Sequence, residues 1–378
     1  MDFSFSEEQE MLRELAREIL EKELSPERVK QVEASPDWFD RELWAGLAAA
    51  NLLGTAIPEE HGGMGFGIEE LVILFEELGR TVAPTPAFAA LALAALPIAQ
   101  FGSDEQKRSW LPRIASGETI LTAAVVDADS RDPMSPATHA RQNGDGWILE
   151  GHKRFVPALG IAERVLVPAA TGRGVGIFLV DPQLRGVRSE AHRTSTGEPL
   201  WELELDDVRV PAGDVLGGEP SDGPARVTWM VLAALSAVNA TQVGVSERAL
   251  ELTAKYVSER EQFGQPIGAF QAVQHRLADC FGDLDAMRWS HWRAVWRLAH
   301  GLDAGREAAV AKFWAADAGS RIANTAMHVH GGMGVDMDFP IHRYFLWSKF
   351  LELSLGSAAP TLAWLGKDMA RQGPKEIA

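Results

Sequence analysis

The sequence predicts an α+β fold laid out as three successive segments, helical, then β, then helical, and three observations carry that expectation. Near the N-terminus Met11, Leu12, Leu15, Ile19 and Leu20, and again Leu71, Leu74, Phe75 and Leu78, recur at helical spacing. From Ile120 the texture changes to short β-rich runs, "ILTAAVVDAD", "WILEGHKRFV", "RVLVPAA", "VGIFLV" and "LWELELDDVRV", with "NGDG" at Asn143 to Gly146 as a hairpin signal. The linker "GGEPSDGPA" then leads into one very long helix, Arg226 to about Gln262, whose middle "WMVLAALSAV" is apolar on every face and so buried in a bundle or an oligomer. The boundaries read as 1–119 for an N-terminal helical domain, 120–222 for a mostly antiparallel β domain and 223–378 for a C-terminal helical domain.

Composition limits what such a fold can serve. The chain has 378 residues, 46% apolar and 24% charged, enough for a large core. Fifty-three acids against thirty-six bases leave a formal charge of -17, which disfavours nucleic acid or an anionic membrane surface, because both require clustered cations. The single cysteine, Cys280, lies on a helical pattern and reads as core packing, and a reducing compartment fits. The opening "MDFSFSEEQEMLREL" is acidic, with Ser6 and Gln9 spaced as a capping box, rather than a leader. No apolar run reads as long and unbroken enough to span a bilayer; "FAALALAALPIAQF" comes nearest before Pro97 and Gln100 interrupt it. The expectation is a cytoplasmic protein.

Other motifs read as packing. Gly62, Gly63, Gly65 and Gly67 in "PEEHGGMGFG" do not form GxGxxG and no strand leads into them, so the stretch reads as a tight inter-helix loop. Trp289, Trp292 and Trp296 share one helix face and read as bundle or subunit packing. His328 and His330 lack a third ligand at a recognised spacing, which argues against a metal.

The most informative stretch is "SEREQFGQPIGAFQAVQHRLAD", Ser258 to Asp279. A long helix delivers Arg260 at its end, the chain turns at Phe263 and Gly264, Pro266 prevents simple continuation, and a new helix presents Gln271. An arginine there suits a pyrophosphate, because its planar fork donates two parallel hydrogen bonds. Taken alone, the same arginine would more readily pair with Glu259 or Glu261.

Arg260 does not stand alone. The pattern R-x-x-F-G-x-P-I followed by F-Q, with "HVHGGMGVDMDFPIHRYF" further on, resembles the C-terminal domain of the acyl-CoA dehydrogenases. The helix, β, helix order, the "PEEHGGMG" loop and "GWILEGHKRFV" extend the resemblance over essentially the whole chain. It implies a C-terminal four-helix bundle and an FAD bound at a subunit interface, the isoalloxazine against one chain's β domain and the pyrophosphate held by the neighbour. Residue by residue it implies Arg260 on the pyrophosphate, Gln262 and Phe263 on nearby flavin-side atoms, and Gln271 on the adenosine half. His328 stands where the family usually has glutamine, and Gly331, Gly332 and Gly334 would let backbone approach the cofactor closely. The implied reaction removes an α proton and a β hydride from an acyl-CoA thioester, which requires a carboxylate base poised over the α carbon and a flavin to take the hydride.

The base is where this sequence departs from the family. The usual glutamate position, before the glycine, is Leu355 in "SLGS", and the alternative position on the long buried helix is Ala234. In the β domain the loop that should run beside flavin and thioester reads "AAVVDADSRDPM", and the flavin-facing aromatic-x-threonine falls at Phe155 to Pro157, where proline has neither hydroxyl nor N–H. The half of the site serving a neighbour's flavin is kept and the half serving the chain's own substrate is not. The resemblance therefore implies a base-lacking subunit of an unequal α2β2 pair, similar to those of actinobacterial steroid side-chain breakdown, with a homologous glutamate-bearing partner, an acyl-CoA substrate and an electron-transfer flavoprotein as acceptor. Two other readings remain open: a self-sufficient enzyme with a relocated base at Glu352, Asp129 or Asp132, or a flavin-free scaffold.

Overall fold

In a computed structural model of the chain, the described residues are 4–130, 132–133, 135–218, 220 and 223–373. Part of "AAVVDADSRDPM" (Arg131, Met134), part of the linker (Glu219, Ser221, Asp222) and with it the expected boundary at 222 lie outside them.

The chain opens with α1, Glu7–Glu23, and its capping box forms as the spacing predicts: Ser6 Oγ accepts from the Gln9 amide at 3.2 Å and Gln9 Oε1 from the Ser6 amide at 3.1 Å. After α2, Pro26–Glu33, comes α3, Arg41–Ala49, capped by Asp40, which also holds Arg28 through two contacts of 2.6 Å. The "PEEHGGMG" stretch is the tight loop expected, since a side chain at Gly63 would meet the Ile57 carbonyl oxygen at 2.0 Å. It leads to α4, Ile68–Arg80. "FAALALAA" then winds as a π-helix, Phe88–Ala95, into α5, Leu96–Phe101, with the Leu96 N–H reaching back to the Leu91 carbonyl; Pro97, next in line, has no N–H to offer an α-helical ladder. A second capping box, Ser103 with Gln106, starts α6, Asp104–Ala115.

Among the described residues, eight strands make one sheet: β1 Leu121–Ala123, β2 Val126–Asp127, β3 His139–Asn143, β4 Gly146–Pro157, β5 Arg164–Thr171, β6 Gly174–Val180, β7 Val187–Arg193 and β8 Pro199–Pro211. The order is β1-β5-β3-β4-β8-β7, with β2 on β4 and β6 on β5, antiparallel except where β5 pairs with β1 and β3. Leu149, Val156, Val165, Val167, Phe178, Leu203 and Val208 form its apolar core. "NGDG" closes the β3–β4 hairpin, with Gly144 at φ +62. Sequence reading misses β3 and β7 because nearly all of their residues face solvent, so neither shows the apolar alternation that marks a half-buried strand.

The long helix α7 runs Gly223–Glu259, three residues earlier at both ends than expected, so Arg260 is the first residue beyond it. A two-strand hairpin, β9 Glu261–Gln262 and β10 Gln265–Pro266, then leads to α8, Gln271–Ala299, α9, Gly305–His330, α10, Ile341–Leu353, and α11, Ala358–Gln372. Among the described residues the C-terminal segment is helical as expected, and a left-handed turn at Leu355 separates α10 from α11. Contrary to the sequence expectation, α7 has the length and hydropathy of a membrane crossing; 72% of its most apolar stretch is buried within the chain. Cys280 is buried beside Leu284, Met287 and Ile322, as core packing requires, whereas of the three tryptophans only Trp292 is buried and Trp289 is 48% exposed.

The described chain divides into two compact units that cut across the three sequence segments: residues 27–71 with 84–234, which hold the sheet, and residues 1–26, 72–83 and 235–378, which hold α1 and α8 to α11.

Candidate functional site

The segment after α7 sets out its side chains by backbone geometry. The Arg260 amide still donates to the Tyr256 carbonyl at 2.8 Å, and its own carbonyl accepts from Ile267 at 2.8 Å, so the residue is fixed between helix end and hairpin. Its guanidinium is exposed and makes no ion pair among the described residues; Glu259 and Glu261 do not take it. Phe263 and Gly264 form the two-residue turn, at φ +55 and +79, the pair of positive values a type I′ hairpin demands. Glycine and asparagine favour the first of these positions, yet it carries a phenylalanine that is 93% exposed and touches Phe270 edge-on at 6.1 Å. Gln262 is exposed, its amide nitrogen turned back to the Glu261 carbonyl at 2.7 Å. Gln271 is the first residue of α8, which starts without a side-chain cap, so first-turn N–H groups and the positive end of the helix dipole stand beside it.

The second cluster ends α9. Tyr256 stacks on His330 with ring centroids 4.3 Å apart, and Phe339 closes the stack at 5.2 Å, which brings the last turn of α7 and the glycine turn together. His328 is exposed, whereas His330 is buried, its Nδ1 on the Ala326 carbonyl at 2.8 Å, and burial lowers its pKa. The two imidazoles thus lie in different environments, which is not how a metal pair is built. Gly331 needs its glycine, at φ +58, and at Gly334 a side chain would press the Met327 carbonyl oxygen at 3.0 Å; Gly332 has open space around it. Sequence reasoning missed the Tyr256–His330–Phe339 stack, whose members are far apart in the chain and carry no spacing signal.

The two positions at which the sequence resemblance expects a base hold no carboxylate. Leu355 lies half-buried at φ +54, followed by Gly356 at φ +113, and Ala234 is fully buried. Glu352 is occupied: Lys349 Nζ contacts its carboxylate at 3.0 Å, and the buried Lys312 donates to the Leu351 carbonyl at 2.7 Å and the Glu352 carbonyl at 3.4 Å. Burial lowers the Lys312 ammonium to about 7, with the Glu352 charge pulling the other way. Lys312 therefore fixes the end of α10 from which the Leu355 turn departs, and nothing in its sequence context marks it out. Asp129 and Asp132 are exposed on the loop after β2.

In the β domain, Phe155 sits at φ +55 on the bulged part of β4, 63% exposed, and Pro157 ends the strand with its carbonyl taken by Thr122 Oγ1 at 2.7 Å. The aromatic ring is presented but no donor stands two residues on. The neighbouring loop is pinned at both ends by Asp127, which accepts from Lys153 Nζ at 2.6 Å and from the Thr138 hydroxyl at 2.6 Å.

Arg260, without an ion pair among the described residues, and the uncapped start of α8 are groups of the kind that the pyrophosphate of FAD requires. The description of the acyl-CoA dehydrogenase N-terminal domain matches residues 6–118 and that of the C-terminal domain matches residues 228–369. Acyl-CoA dehydrogenase FadE27 of Mycobacterium tuberculosis (strain ATCC 25618 / H37Rv) is 38% identical, over 98% of this chain and 99% of its own length. A chain of the ChsE4-ChsE5 complex from Mycobacterium tuberculosis superposes with a TM-score of 0.93 at 38% identity, covering 99% of this chain and 100% of its own. A chain of a Tcur3481-Tcur3483 steroid ACAD variant gives 0.91 at 42% identity, covering 97% and 98%. The chain belongs to the acyl-CoA dehydrogenase family, whose members are FAD-dependent flavoproteins.

Proposed function

We propose that this chain is the base-lacking subunit of a heteromeric acyl-CoA dehydrogenase, acting on an acyl-CoA ester of steroid side-chain type with an electron-transfer flavoprotein as acceptor. The observation that carries the reading is the contrast between Arg260, exposed and unpaired, and the two base positions, filled by Leu355 and Ala234. Similar solved structures include chains from complexes named for two proteins, which supports an unequal pair. In this reading Arg260 binds the pyrophosphate through its fork, Gln271 and the α8 N-terminus hold the adenosine half, and His328 and the Gly331–Gly334 turn line the same ligand. When bound, FAD supplies the acceptor for the β hydride. The partner supplies the carboxylate that takes the α proton, and the flavin-facing β domain. The alternative base, Glu352, is disfavoured by its contact with Lys349.

The test is Arg260→Ala in this chain, co-expressed with a glutamate-bearing partner. The reading predicts that the complex still assembles but loses flavin affinity tenfold or more, since a charged bidentate contact is worth about 1.5–3 kcal/mol. Unchanged flavin retention in the assembled complex would remove Arg260 from the site and, with it, the reading.

A further inference from the structure

The ends of three helices gather around Arg260. Tyr256, one turn before it on α7, stacks on His330 of α9 at 4.3 Å. A side chain at Gly268 would meet the Val257 carbonyl oxygen at 3.0 Å, so the lead-in to α8 lies against the last turn of α7. Asp283 of α8 takes Arg321 of α9 in a two-pronged pair at 2.7 Å, and the Cys280 thiol meets the Thr325 hydroxyl, so α8 and α9 run antiparallel in a fixed register. Seven residues from the Asp283–Arg321 pair, two turns along each helix and on the same face, Arg276 stands opposite His328.

The two positions differ in charge. At the first, an acid meets a base, and Asp317 also holds Arg321. At the second, both side chains are exposed and neither has a hydrogen bond or ion pair among the described residues; Asp279, one turn along α8, does not take the arginine. Of the four arginines of α8, Arg288 has Glu247 at 2.7 Å, and Arg293 and Arg297 have Glu307 at 3.8 and 3.4 Å. Arg276 has no such partner among the described residues. A guanidinium is always charged and an imidazole keeps at least one N–H, so the pair offers donors to an anion. Gln271 lies five residues earlier on the same helix, about 7.5 Å of rise.

We propose that Arg276, with His328 opposite it, binds the adenosine-side phosphate of FAD and leaves the flavin-side phosphate to Arg260. The assignment rests on the reading above, in which Gln271 holds the adenosine half and Arg260 the pyrophosphate. A pyrophosphate joined to an alcohol at each end carries one negative charge on each phosphate, and a single arginine offsets one of them. The chain's own charge of -17 opposes the other, so a second cation has to stand close by. Arg276 is the arginine left without an acid on the helix that carries Gln271.

The test is FAD affinity of the co-expressed complex, read beside the melting temperature of the chain alone. Arg276→Ala should raise the FAD dissociation constant about tenfold, as loss of one charge-assisted contact does, and flatten its dependence on salt, with the melting temperature unchanged. Arg276→Lys keeps the charge and should restore most of the affinity. Wild-type affinity in Arg276→Ala, with Arg260→Ala weakened, would overturn the assignment and leave the underlying reading intact. Wild-type affinity in both variants would remove the reading and the assignment with it. An Arg276→Ala chain that melts lower, with affinity that lysine does not restore, would make the residue structural and equally overturn the proposal.

Discussion

Leu355 occupies a left-handed backbone conformation, φ +54, which costs an ordinary L-residue about 1–2 kcal/mol relative to the right-handed one. Lys312 holds the preceding turn of α10 from a buried position, so the strained turn is imposed by its surroundings rather than chosen by leucine. Strain of this kind gathers at functional sites, and here it persists at a residue that can neither give nor take a proton. The account therefore predicts that Leu355→Gly stabilises the isolated chain by about 0.5–1 kcal/mol in denaturant unfolding, the relief of strain less the extra backbone freedom of glycine, without lowering turnover of the assembled complex. A tenfold loss of turnover would show that the leucine side chain takes part. Single residues stand out in the sequence where a motif singles them out, as at Arg260 and Leu355, whose roles belong to the proposed function. Lys312 and His330 do not, because each gains its meaning from a carbonyl or a ring supplied by another element.

The hairpin β9–β10 shows the same logic one level up. Its two-residue turn demands positive φ at both positions and receives Phe263, exposed and conformationally disfavoured at once. Replacing that residue with glycine should raise the melting temperature of the chain alone and weaken flavin retention in the complex; a variant that binds flavin as tightly as wild type would reduce Phe263 to an accident of sequence. Helices were read from sequence more readily than strands. The capping box at Ser6 and the apolar continuity of α7 survive translation into structure, since both are local and periodic. β3 and β7 escaped, their exposed residues leaving no alternation, and the β9–β10 hairpin was legible only as a turn, being too short for a strand pattern.

Across the whole molecule, exposed apolar side chains concentrate in residues 235–378: Phe263, Phe281, Val335, Met337, Leu353 and Leu362 are each more than half exposed. Order of segments and family were legible from the sequence, because the motifs span the chain; the division into two contact units was not, since α4 and α7 each run through both. In the reading proposed above, the exposed Arg260 serves a partner's flavin and the base that Leu355 and Ala234 cannot supply comes from the partner. The measurement that tests this most directly is bound flavin per chain, from visible absorbance, for the protein purified alone and after co-expression with a glutamate-bearing homologue. The account predicts colourless protein alone and one FAD per pair of unlike chains in the complex. A chain that is yellow and fully loaded on its own would contradict it.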